Sequence, residues 1–304
     1  MHEAQSGLEC PLCGSTAHRD IGVNPDFSPS RILACRSCGF MRTSPMPADS
    51  ELAERYRQEY RELRRERITD LFLAARGLRA QAQHSFILGT APEWRNSAEL
   101  DVMDVGCAAG SLLEVFASNA RILIGYEPDE RMASAARDRL AGRAEIRNRL
   151  LDWPPPDERR YDLICMSHSL EHTREPISTL SHLFEYCNEG GRVFLEVPNE
   201  TLATVRTLCD RDTRGVFHLH FFQADHLRRC IELAGGRVLR IGTFGDDVHA
   251  PPFLGSGGMR RIATGVSSRF FRSARARQAR LSRAMFYENP RGGIWLRCLC
   301  ARWN

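Results

Sequence analysis

The residues with the plainest chemical purpose are two Cys-x-x-Cys pairs, Cys10-Pro-Leu-Cys13-Gly14 and Cys35-Arg-Ser-Cys38-Gly39. Each pair sets two thiolates at the spacing of neighbouring ligands on a tetrahedral ion, and the glycine after it permits a sharp reversal. Four cysteines predict a closed, structural zinc site in a ribbon over residues 1–42. A unit that small buries too little core to fold without its ion. Redox chemistry, the other use of Cys-x-x-Cys, fits two matched knuckles poorly. The second group is a glycine turn and a distant acid. Asp104-Val105-Gly106-Cys107-Ala108-Ala109-Gly110 follows the largely apolar run from Leu100, and Ile122-Leu-Ile-Gly-Tyr126 leads to Glu127. Gly106 and Gly110 let the backbone approach a ligand where the next helix starts, and Glu127 is placed to accept both hydroxyls of a ribose. An adenosine-containing cofactor is expected there. The third group is histidine-rich: Ser167-His-Ser-Leu-Glu-His172 and Phe217-His-Leu-His-Phe-Phe222. Imidazole is the usual proton acceptor near neutral pH. In an extended segment His218 and His220 would point to one side. A zinc site built on that pair lacks two further ligands.

The glycine turn resembles the first motif of the class I S-adenosylmethionine-dependent methyltransferases, with Ala108 where a central glycine is common. Dinucleotide dehydrogenases space their glycines differently. The resemblance implies that S-adenosylmethionine is bound by Asp104, Gly106, Cys107, Ala108, Gly110 and Glu127. The family's adenine-side acid is matched only by Asp152, because Asn148-Arg149 stand in the aligned place. Leu170-Glu171-His172 resembles the L-E-H segment of small-molecule methyltransferases, including ubiquinone-pathway O-methyltransferases. Some of those hold a divalent metal with an acid three residues before the glutamate, a position filled here by His168. The segment around His220 resembles one that lines the acceptor pocket of related sugar and small-molecule methyltransferases. Catalytic candidates are therefore His172 and His220 as base and Glu171 as a positioning group. Pro198-Asn199 departs from the motif of amino-directed nucleobase methyltransferases.

These groups need a frame to hold them. Between residues 100 and 243 apolar strand patterns alternate with helical ones, which predicts a doubly wound parallel sheet. Strands are expected at 121–126, 145–148, 161–166 and 192–197, and helices after Gly110, over 129–140, 174–187 and 223–234. Segments 237–243 and 293–303 fit the closing antiparallel pair of a Rossmann-like, seven-stranded methyltransferase sheet. Residues 43–99 read as a helical linker or lid in which Tyr56 and Tyr60 share a face. An insertion over about 244–292 carries eight arginines between Arg260 and Arg283, above an apolar stripe from Ile262 to Met285. It reads as a cap helix, a contact with an anionic membrane surface, or a clamp on a phosphorylated acceptor.

Composition narrows the chemistry further. All 42 basic residues are arginine, so Schiff-base, P-loop and general-base lysines are excluded. A net charge of +4 is too small to argue for nucleic acid. No apolar stretch is long enough to span a bilayer and none resembles a signal core, so the cytoplasm is the expected location. The seven cysteines outside the ribbon lie in apolar segments and are expected to be reduced. The function expected is methyl transfer from S-adenosylmethionine to a small-molecule or carrier-linked acceptor, a sugar among them. An RNA methyltransferase and a non-catalytic binding protein on the same scaffold are the alternatives; oligomeric state cannot be read.

Overall fold

The structure is a computed structural model that describes residues 9–48, 50–52, 70–151, 159–245, 285–289 and 292–303. Near the N-terminus β1 (His18–Val23), β2 (Arg31–Cys35) and β3 (Met41–Ser44) pair antiparallel. The two Cys-x-x-Cys knuckles sit at one end of this sheet, with Gly14 and Gly39 in the left-handed region (φ +72° and +79°) that the reversals require. Helix α1 (Asp70–Thr90) then leads into β4 (Leu100–Val105), which is buried along nearly its whole length, as an apolar central strand should be.

From β4 the chain alternates through α2 (Ser111–Val115), β5 (Ala120–Tyr126), α3 (Glu130–Leu140) and β6 (Glu145–Arg147) on one side. It crosses to the other side through β7 (Tyr161–Ser167), α4 (Pro176–Glu185), β8 (Cys187–Pro198), α5 (Leu202–Asp210), the two-residue β9 (His220–Phe221) and α6 (Ala224–Leu233). Strands β10 (Gly236–Phe244) and β11 (Trp295–Arg302) complete a seven-stranded sheet in the order β10-β11-β8-β7-β4-β5-β6. Only β11 runs antiparallel to its neighbours. Leu113, Ala136 and Ile87 of α2, α3 and α1 pack on one face, and Leu183 and Ile231 of α4 and α6 on the other. Asp129 caps α3 by accepting from the backbone N–H groups of Arg131 and Met132, which fixes the helix start where the sequence puts it.

One expected boundary moves, and two elements are new. The helix expected over 174–187 ends at Glu185, and β8 begins at Cys187, before the Gly190-Gly191 turn. Helix α5 carried no strong periodic signal. Most consequential, β9 does not join the large sheet: it pairs with β3, Met41 against Phe221 and Arg42 against His220, so the ribbon's sheet has a fourth strand drawn from the catalytic domain. The 1–42 boundary therefore divides two units that share a sheet. Tyr56, Tyr60, Asp152 and most of the Arg-rich insertion lie outside the described residues. Among the described residues no helix is long and apolar enough to cross a membrane, and every cysteine is a free thiol.

Candidate active site

The strand order reverses between β4 and β7, and their carboxyl ends open the crevice where ligands of such sheets bind. At the end of β4 the chain turns sharply. The N–H groups of Gly106 and Cys107 both donate to the Tyr126 carbonyl, at 2.8 and 3.0 Å. Gly106 has φ +79°, and a Cβ there would lie 2.3 Å from the Ser169 hydroxyl, so the position admits only glycine. Ala108, where the resemblance expects glycine, holds φ +47°. What its methyl costs is therefore backbone strain as well as clearance. Cys107 is buried against Gly125, with its thiol pushed up by desolvation.

Glu127 lies across this turn. Its Oε2 accepts from the Ala108 N–H at 2.8 Å and its Oε1 from the Asp129 N–H at 2.9 Å. Those bonds fix the carboxylate at the rim and leave lone pairs for a diol. Burial raises its pKa against the pull of the two N–H groups. Asp104, beneath it on β4, is pushed up to about 7 by burial and by the Glu127 charge, and its Oδ1 has no hydrogen-bond partner. At the aligned place of the adenine-side acid stands a brace: the Asn148 amide donates to the Glu127 carbonyl at 2.8 Å, and the Arg147 and Arg149 guanidinium groups lie 5.3 and 5.9 Å from the Tyr126 ring centre.

Beside this turn, and tied to it by the Ser169 hydroxyl donating to the Val105 carbonyl, a short 3₁₀ turn after β7 carries Glu171 and His172. The His172 Nδ1–H donates to the Phe217 carbonyl at 2.9 Å, which directs Nε2 to within 3.9 Å of Glu171 Oε1. His218 Nδ1 is hydrogen-bonded to Glu200 Oε1 at 2.9 Å, and its Nε2 stands 4.0 Å from the same Glu171 oxygen. Burial pushes the Glu171 and Glu200 carboxyls up to about 8. Below them Glu196, wholly buried, stays ionised because Arg79 of α1 and Arg297 of β11 outweigh its desolvation. His168 lies 3.3 Å from Glu171 and 3.5 Å from Glu196, and burial drives its pKa well down. Among the described residues five non-glycine residues have positive φ, and three of them (Ala108, His168 and Phe217) lie on the loops that carry these groups, the placement expected of strain kept for function.

His220 is elsewhere. It stacks on Phe40 of the ribbon with ring centres 5.7 Å apart, its Nε2 faces the Arg174 carbonyl at 3.1 Å, and burial pulls its pKa down to about 4. The member of the His-x-His pair that meets Glu171 and His172 is His218. Alternation fails because Phe217 takes a left-handed conformation (φ +57°) and the segment becomes strand only at His220. Glu196, Glu200 and Arg297 carried a signal that went unused: acids at the carboxyl end of a parallel strand and an arginine inside an apolar one.

At the ribbon's end the four sulfurs lie within 4.8 Å of one another, with Cys10–Cys38 and Cys13–Cys35 each at 3.5 Å. A tetrahedral ion with ~2.3 Å metal–sulfur bonds needs about this spacing. Burial opposes ionisation of Cys35, but the N–H groups of Cys38 and Ser37 outweigh it and bring the thiol down to about 6.

Residues 56–241 match the family model described as a methyltransferase domain, so the chain belongs to that family, as a class I S-adenosylmethionine-dependent member. A probable S-adenosylmethionine-dependent methyltransferase of Mycolicibacterium smegmatis is 29% identical over 140 residues, covering 45% of this chain and 52% of its own length. A ubiquinone biosynthesis O-methyltransferase of Vibrio vulnificus is 27% identical over 105 residues, covering 33% of this chain and 45% of the relative. The chain thus spans about half the length of the curated relatives it matches. Among solved structures, the magnesium protoporphyrin IX methyltransferase of Synechocystis with bound S-adenosylhomocysteine superimposes with a TM-score of 0.51 at 16% identity, over 84% of this chain and all of that one. That likeness confirms the fold.

Proposed function

We propose that this protein transfers the methyl group of S-adenosylmethionine to an oxygen of a small, hydroxylated acceptor, free or carrier-linked, with a sugar or a phenol as the class. The observation that supports this reading is that two groups of side chains lie at the carboxyl ends of the adjacent strands β4, β5 and β7. On this reading the Gly106 turn and Glu127 take the nucleoside, and Glu171, His172 and His218 supply proton-accepting atoms nearby. Methyl transfer is an in-line displacement: a lone pair of the acceptor oxygen forms the new bond to carbon while sulfur keeps the electrons of the old one. The acceptor proton passes to the Glu171–His172–His218 group. His172 is the preferred acceptor of that proton, because its Nδ1–H is committed to a carbonyl and its Nε2 lone pair faces Glu171. The name of the ubiquinone-pathway relative supports an oxygen acceptor.

The four ribbon cysteines are proposed to hold a structural zinc ion, which supplies folding energy and takes no part in the chemistry. Cofactor binding is tested by titration calorimetry of the full chain with S-adenosylmethionine. Glu127→Ala is expected to weaken binding at least tenfold, since hydrogen bonds to a charged group are worth ~1.5–3 kcal/mol each. Unchanged affinity in that variant overturns the reading.

A further inference from the structure

We infer that Arg42, His226 and Arg229 form an outer layer around the ion proposed for the ribbon, so that the methyltransferase domain sets how tightly the ribbon holds its metal. The inference rests on the zinc reading above and extends it beyond the four sulfurs. Four thiolates outweigh a divalent ion by two negative charges, and Cys10 and Cys35 are buried where water cannot offset that excess. Arg42 of β3 is buried beside them, and its Nη2 donates to the Glu9 carbonyl, one residue before Cys10, at 3.2 Å. Burial opposes the Arg42 charge, and the charges of Cys10, Glu175 and Cys35 favour it.

His226 and Arg229 lie three residues apart on one face of α6, and each meets a different knuckle. The Gln223 N–H donates to His226 Nδ1 at 3.4 Å, which leaves the ring proton on Nε2. That Nε2–H donates to the Cys38 carbonyl at 3.0 Å. Arg229 Nε donates to the Leu12 carbonyl at 3.4 Å. The Leu12 carbonyl shares its peptide group with the Cys13 N–H, which is hydrogen-bonded to the Cys10 sulfur. A cation on the oxygen of a peptide strengthens the bond that its N–H makes. Packing holds the layer in place: Phe40 meets the edge of the His226 ring with centres 5.5 Å apart, and Arg42 pairs with His220 across β3 and β9. The ion, the shared sheet and α6 therefore act as one unit. By linkage, what tightens the docking of α6 tightens the metal by the same factor.

The test follows equilibrium transfer of zinc from the loaded full chain to a chromophoric chelator, with circular dichroism to confirm that each variant is folded. Arg42→Met and His226→Phe should each weaken zinc binding ~10–100-fold, the usual effect of removing an outer partner, while Arg42→Lys, which keeps the charge, should stay within about threefold of wild type. Arg229→Met should cost less, because its half-exposed charge is screened by water. Arg31→Met removes an exposed ribbon arginine paired with Asp20 and should change nothing, which separates placement from overall charge. Wild-type zinc affinity in a folded Arg42→Met or His226→Phe overturns the inference, as does an Arg42→Lys that is as weak as Arg42→Met. A wild-type chain that holds no zinc and takes none up sinks the zinc reading itself, and this inference with it.

Discussion

Asp104 shows how a single buried acid records its surroundings. In the unfolded chain its carboxyl ionises near the ordinary value of ~3.9, while in the fold burial and Glu127 keep it protonated up to about 7. A carboxyl whose folded pKa is raised favours folding below its unfolded pKa. That contribution is lost as pH rises toward the folded value and is gone above it. Urea unfolding from pH 4 to pH 7 should therefore show stability drained by this residue, and Asp104→Asn should flatten that slope. The glycine turn was legible because only glycine fits where Gly106 meets Ser169, and Glu127 because a ribose acid falls at a fixed distance along such a unit. The choice between His218 and His220 was hidden. It depends on the left-handed Phe217, and nothing about phenylalanine announces that conformation.

Among elements, the contact between the ribbon and the loop before β9 does most to shape the acceptor side. One carboxylate, Asp26, satisfies three successive backbone N–H groups at 2.6, 3.0 and 2.7 Å. Asn24 and Thr43 both donate to the carbonyl of His218. Asp26→Ala would strand those N–H groups in a buried place, and each unsatisfied donor costs ~1–3 kcal/mol. Chemical denaturation should show a loss of at least ~3 kcal/mol, and nitrogen NMR of the His172 ring should show its Nδ1–H tautomer eroded, since the Phe217 carbonyl that fixes it sits on the released loop. A purely local loss of stability with the His172 tautomer intact contradicts this coupling. Periodicity found the strands and helices of the large sheet, where burial repeats at 2.0 or 3.6 residues. It could not find β9, whose partner lies about 180 residues earlier in the chain.

Taken whole, the molecule keeps the two groups proposed for donor and acceptor on different supports. The group proposed for the donor is built from β4, β5 and the brace after β6, while the loop that carries His218 leans on the ribbon. Treating the protein with a chelator, to remove the zinc proposed for the ribbon, should leave S-adenosylmethionine affinity within about threefold and raise hydrogen exchange through residues 215–221. Equal loss at both groups would show that the ribbon supports the entire domain. Charge balance and the Cys-x-x-Cys knuckles gave no hint of this division, because it lies in contacts between units.

The shared β3–β9 pairing also fixes what happens if the first forty or so residues are cut away. His220, Phe221 and Phe222 would lose their cover, and a bare strand edge flanked by aromatic rings would face water. Such an edge recruits other chains. A shortened protein of this kind should clump on purification, even though every side chain assigned to the methyl donor would still be in place.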